Sequence, residues 1–125
     1  MGRRGYAQIA EPQYGKNAIT DWAQDDFASY LENHGIHIST GNDFGDTSCA
    51  DHWDIAIPYR KATKKRKGYT DYAKIRRLIA DLKSHPDKVT STDGDPHGEA
   101  AACVLEEGLE VAIRNKSDSI VIDWF

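Results

Sequence analysis

Residues 60–68, Arg-Lys-Ala-Thr-Lys-Lys-Arg-Lys-Gly, hold six cations and no acid. A run of this kind cannot enter a core, because each charge would lose its hydration without gaining a carboxylate in return. It must therefore protrude as a connection, and the fold has to be assembled from the segments on either side. The asymmetry reaches further: residues 60–83 carry ten of the sixteen Lys and Arg against two acids, Asp71 and Asp81, a local net of +8. The rest of the chain, six cations against eighteen acids, nets −12, a polarity hidden by the overall −4.

A chain of 125 residues suits one globular domain, 1–125, with a single core. Hydrophobic residues at 39% and charged residues at 29% match a folded protein and not a disordered one, which would lack the clustered branched and aromatic side chains seen here. The longest apolar runs, such as Ala100–Leu105, are too short for a bilayer span or a signal-peptide core, so a cytoplasmic protein with no membrane partner is expected. Cys49 and Cys103 are expected to be free thiols, Cys49 in a polar loop and Cys103 on a helix.

Periodicity supplies the elements. Tyr6–Ala10 reads as a short strand, followed by turn chemistry over 11–17. Thr20 is placed to cap a helix with Asp21, Asp25 and Asp26 in its first turns, Ala23, Phe27, Tyr30, Leu31 and His34 on its buried face, Trp22 at the flank and Gly35 as its stop. His34 is also placed to serve the helix C-terminus as a cap or dipole partner. Ile36–Thr40 and Trp53–Tyr59 alternate as strands, the second aligning Trp53, Ile55, Ile57 and Tyr59, with Pro58 at an edge or rim. Thr70 is expected to cap a second helix with an apolar stripe of Tyr72, Ile75, Leu78, Ile79 and Leu82, ended by His85-Pro86. Residues 87–96 read as a loop. A third helix over about 98–115 sets Ala101, Leu105, Leu109 and Ala112 at successive turns, with Gly108 as a weak or close-packing point. Ile120–Phe125 closes as a strand covered on both faces. The order argues an α+β fold: a small, mainly antiparallel sheet with about three helices packed on one face.

The surface with most functional promise is the basic run and the helix after it. Arg60, Lys61, Lys64, Lys65, Arg66 and Lys67 supply cations for phosphate, and Lys74, Arg76 and Arg77 continue the charge. Tyr59, Tyr69 and Tyr72 offer rings on which bases could stack. These residues point to a non-enzymatic binding protein for nucleic acid or a nucleoprotein complex. A solubilising loop would use the same charges, and an acidic protein surface would satisfy them equally. The rival reading is a protein-binding inhibitor, such as mobile elements encode against host defence systems, acting through the acidic remainder and a Trp124-Phe125 anchor. Simple core burial is the alternative role for those two aromatics.

Three patterns suggest chemistry. The 41–52 loop gathers Asp43, Asp46, Asp51 and His52, oxygen donors and an imidazole for a divalent ion, but calcium-loop spacing and paired Cys or His motifs are missing. His37-Ile38-Ser39-Thr40 resembles one half of the paired signature of two-histidine phosphoesterases, without a second copy. A helix bearing Glu32, followed by strands and Asp54-Ile55-Ala56-Ile57, resembles the opening of the restriction-endonuclease-like nucleases, which implies metal-assisted hydrolysis. Where that family places an acid-x-Lys pair this chain has its basic run, and Asp123-Trp124-Phe125 supplies no lysine. No cofactor and no catalytic residue are expected on these grounds.

Overall fold

The computed structural model describes residues 4–7, 18–40, 52–57 and 69–124. Strands β1 (Arg4–Ala7) and β2 (Ala18–Thr20) lead through a 3₁₀ turn (Asp21–Ala23) into helix α1 (Gln24–Asn33). Strands β3 (Ser39–Thr40) and β4 (His52–Ala56) follow, then helices α2 (Tyr72–Ser84) and α3 (Gly98–Arg114), and finally β5 (Ser119–Trp124). The strands form one antiparallel sheet in the order β2-β1-β5-β4-β3. This is the α+β architecture that the order of elements predicts.

Alternation decides which face of the sheet carries the core. Trp53 pairs with Ile122 and Ile55 with Ile120, and all four are fully buried. Phe27 of α1 packs on Trp53 with ring centroids 5.4 Å apart, and Trp124 packs on Trp53 at 4.9 Å. The three helices cover this face, and one contiguous cluster of buried residues runs through sheet and helices. Gly5 lies between Ile19 and Trp124 in the ladder. Expectation and structure differ on β5. Ile120, Ile122 and Trp124 are buried, while Ser119, Val121 and Asp123 are only half-buried. The helices pack on one face, and the second face keeps partial access to water.

The helices follow their apolar stripes, with differences at the ends. α1 stops in a Schellman motif: Ile36 N–H donates to Leu31 O at 2.9 Å and Gly35 N–H to Glu32 O at 3.0 Å, with Gly35 at φ +78°. That left-handed conformation favours glycine. His34 is exposed, not on the buried face, and its Nδ1 donates to Tyr30 O at 2.7 Å, which caps the last turn. Only Ser39–Thr40 of the predicted 36–40 strand joins the ladder, although Ile36 and Ile38 are buried as the alternation requires. Thr70 does not cap α2. Its amide donates to Ala56 O at 2.8 Å, its hydroxyl is enclosed without a partner, and Asp71 takes the cap position with an extended backbone. Every residue expected on the inner face of α3 is buried, Gly108 included.

The segment after α2 reads as a loop in the sequence but is tightly built. Asp81 accepts from the Tyr30 hydroxyl at 2.6 Å and from Lys88 Nζ at 2.9 and 3.0 Å. Asp26 accepts the Thr90 amide at 2.6 Å, and Thr92 N–H donates to Trp22 O at 3.1 Å. A Cβ on Gly98, the first residue of α3, would stand 2.6 Å from the carbonyl oxygen of Pro86 and collide with its backbone. Only glycine lets the two segments approach so closely.

Candidate nucleic-acid interface

α2 forms because Ile75, Leu78, Ile79 and Leu82 recur at three- and four-residue steps and face the core. Ala73, Arg76, Arg77, Ala80 and Lys83 fall on the opposite, exposed arc. Among the expected interface residues, Tyr59, Arg60, Lys61, Lys64, Lys65, Arg66 and Lys67 lie outside the described residues. Tyr69 is 36% exposed just ahead of the helix, and Tyr72 is half-buried.

The three cations that continue the basic run onto α2 diverge. Lys74 is half-buried, and its Nζ lies 2.9 Å from where a Cβ on Gly35 would stand. It is thus drawn to the C-terminal end of α1, where unpaired carbonyls concentrate negative charge. Arg76 sets its guanidinium over the Tyr72 ring, 5.9 Å from the centroid, and borders a groove shared with α3. Arg77 is exposed, and among the described residues no hydrogen bond, ion pair or ring contact engages it.

Arg77 is unpaired for an identifiable reason. Its helical neighbour four residues on is Asp81, a position from which a carboxylate can pair with an arginine. Both oxygens of Asp81 are already committed to Tyr30 and Lys88. The Tyr30 hydrogen bond first, and Lys88 next, hold the Asp81 carboxyl below its ordinary range. Burial, reinforced by the bond to Asp81, pushes the Tyr30 hydroxyl well above its ordinary range. Farther along α2, Lys83 donates to Glu106 at 2.6 Å, which raises its pKa. Glu106 thus serves Lys83 and Asp81 serves Lys88, which leaves Arg77 open.

Among the described residues the alternative sites are not assembled. Asp43, Asp46 and Asp51 lie outside the described residues, and His52 is exposed opposite Asp123 in the ladder. Among the described residues no group of three His, Cys, Asp or Glu could hold a metal ion. Glu32 and Asp54 are not brought together. α1 packs on the Trp53 face of the sheet, and Asp54, the next residue in β4, belongs to the other. One Asp54 oxygen is enclosed without a partner. His37 is exposed, and Cys103 is a half-buried free thiol. Among the described residues no helix is long and apolar enough to cross a membrane. Trp124 is 4% exposed and belongs to the core, so it is no surface anchor; Phe125 lies outside the described residues.

Two surface features are not read as sites in the sequence, although Trp22 is placed at the flank of its helix. Trp22 is 54% exposed beside a cleft of about 280 Å³ bordered by Asp25, Asp26, Ser29 and Thr90–Thr92. Its place off the apolar stripe of α1 is the signal that would have found it. α2 and α3 also leave an outward groove of about 370 Å³, with Ile113 42% exposed at one end. No protein-family model, curated protein or solved structure matches the chain.

Proposed function

We propose that this chain is a small non-enzymatic binding protein that engages nucleic acid, or a nucleoprotein complex, through residues 59–67, Tyr69 and the Arg77 side of α2. The observation that carries this reading is Arg77, left without its helical carboxylate in a chain with twenty acids. An unpaired guanidinium is free to meet phosphate, and the neighbouring run of six cations in 60–68 adds counterion-release energy. Exposed Tyr69 supplies a stacking surface, which favours single strands. The acidic remainder repels duplex DNA on its other faces, so the contact is local and salt-sensitive.

The test is fluorescence anisotropy with labelled single-stranded RNA and with single- and double-stranded DNA, at low and moderate salt. The wild type is compared with a Lys64, Lys65, Arg66 and Lys67→Ser variant and with Arg77→Ser. Binding that falls with salt, vanishes in the first variant and weakens severalfold in the second supports the reading. No binding at low salt removes it and turns attention to a protein target.

A second reading, the protein-binding inhibitor, is favoured by Trp22 and not by the Trp124-Phe125 pair. An exposed indole beside carboxylates is the kind of side chain that anchors interfaces. Trp22→Ala should then abolish capture of the target while leaving the melting transition in place.

A further inference from the structure

The groove between α2 and α3 has an arrangement that the basic surface does not use. Lys83 meets Glu106 across it, and Arg76 and Ile113 border it farther along, so the helices run antiparallel. Ile79, Ala80 and Leu109 form an apolar floor, and Ile113 extends that floor into water. The walls are oppositely charged: Arg76 and Lys83 on α2, Glu106 and Glu110 on α3.

This polarity selects the occupant. A uniformly charged partner, whether nucleic acid, basic peptide or acidic peptide, is attracted by one wall and repelled by the other. A surface positive on one side of a line and negative on the other is its own complement under a two-fold axis along that line. Such an axis lays α2 of one copy over α3 of the other at the same level, with Arg76 near the second copy's Glu110. Among the described residues neither side chain forms an ion pair, although Glu110 also adds to the negative field around Lys83. Ala73 and Ala80, small and exposed on α2, let the helices approach to the 8–10 Å or so typical of packed pairs. We propose that the α2–α3 groove is an isologous dimer interface, sealed by Ile113 and its symmetry mate over the apolar floor and oriented by reciprocal Arg76–Glu110 pairs.

The proposal does not depend on the nucleic-acid reading, because Arg77 lies on the flank of α2 away from the groove. The same axis does bring both α2 N-termini to one end of the dimer, each following its own 60–68 segment.

Sedimentation velocity up to about 100 µM protein, a range that detects weak self-association, tests it with wild type, Ile113→Asp, Arg76→Glu, Glu110→Arg and the Arg76→Glu/Glu110→Arg pair. The wild type is expected to dimerise with rising concentration. Each single variant should weaken the dimer about tenfold or more, and the paired swap should restore it. All these side chains are at the surface, so melting of the dilute monomer should be unchanged and serves as the folding control. A wild type monomeric throughout, a dimer indifferent to Ile113→Asp, or a charge swap that fails to restore association would each overturn the proposal.

Discussion

Asp81 and Arg77 stand one turn apart on α2, yet the carboxylate ties together three parts of the chain while the guanidinium, among the described residues, ties none. Around Asp81, the 86–98 segment is held to α2 by the nearby Lys88 and to α1 and the turn before it by hydrogen bonds whose partners are far apart in sequence, Thr90 to Asp26 and Thr92 to Trp22. Around Arg77, at the N-terminal half of α2, the Thr70 hydroxyl is enclosed and unsatisfied and the cations diverge. The difference teaches that structural and available charge on one helix are allocated together. By occupying Asp81, Tyr30 and Lys88 keep Arg77 open.

The knitted corner should break most readily at Gly98. Gly98→Ala forces a methyl into the Pro86 backbone, and overpacking of this kind costs about 2–3 kcal/mol, read as a lower urea midpoint with unchanged slope. Asp81→Asn comes next. It weakens the bonds from Tyr30 and Lys88 and should cost about 1–2 kcal/mol, most of it on the Tyr30 side, because Lys88 is 45% exposed and such pairs are screened. The sign of its pH dependence follows from the lowered Asp81 pKa. The unfolded chain takes up the proton first, so the stabilisation is present above about pH 4 and lost as pH falls through the folded value. Thermal melts between pH 5 and pH 2, bounds set about the unperturbed carboxylate value near 3.9, should therefore show a smaller loss of stability in Asp81→Asn than in wild type.

The opposite end should improve when altered. Thr70→Val removes a hydroxyl that is enclosed and bonds to nothing, keeps the amide that donates to Ala56, and is expected to gain about 1 kcal/mol in denaturant unfolding. The smallest effect links the two regions. Lys88→Ala frees one side of Asp81 to turn toward Arg77, so stability should move by no more than about 0.5 kcal/mol while nucleic-acid affinity at low salt drops about twofold. An unchanged affinity would separate Arg77 from Asp81.

The helices were legible because their stripes persist: Ile75, Leu78, Ile79 and Leu82 repeat over two turns, and Ala101 through Ala112 over three. Trp53, Ile55 and Ile57 declared their face by alternation. β2, three residues long, and β3, two, are too short for any period to register. Thr70 fits a local capping rule, but its amide is held by Ala56 on β4 and the helix starts one residue later than the rule assumes, with Asp71 at the cap. Part of the candidate surface was visible as composition, but the divergence of Lys74, Arg76 and Arg77 was not. Lys74 answers to the end of α1, Arg76 to Tyr72, and Arg77 to the prior commitment of Asp81, whose Tyr30 partner is 51 residues away.

The position of β5 sets a schedule for the molecule. Two antiparallel pairs, β1 with β2 and β3 with β4, share no edge and meet only when β5 slots between β1 and β4. β4 ends at Ala56 and β5 begins at Ser119, so the ribosome has made α2 and α3 before the strand that unites the sheet exists. Until then each half shows a bare ladder edge and Trp53 lacks the indole of Trp124, which leaves the nascent chain dependent on its helices for solubility and open to strand pairing with a neighbour.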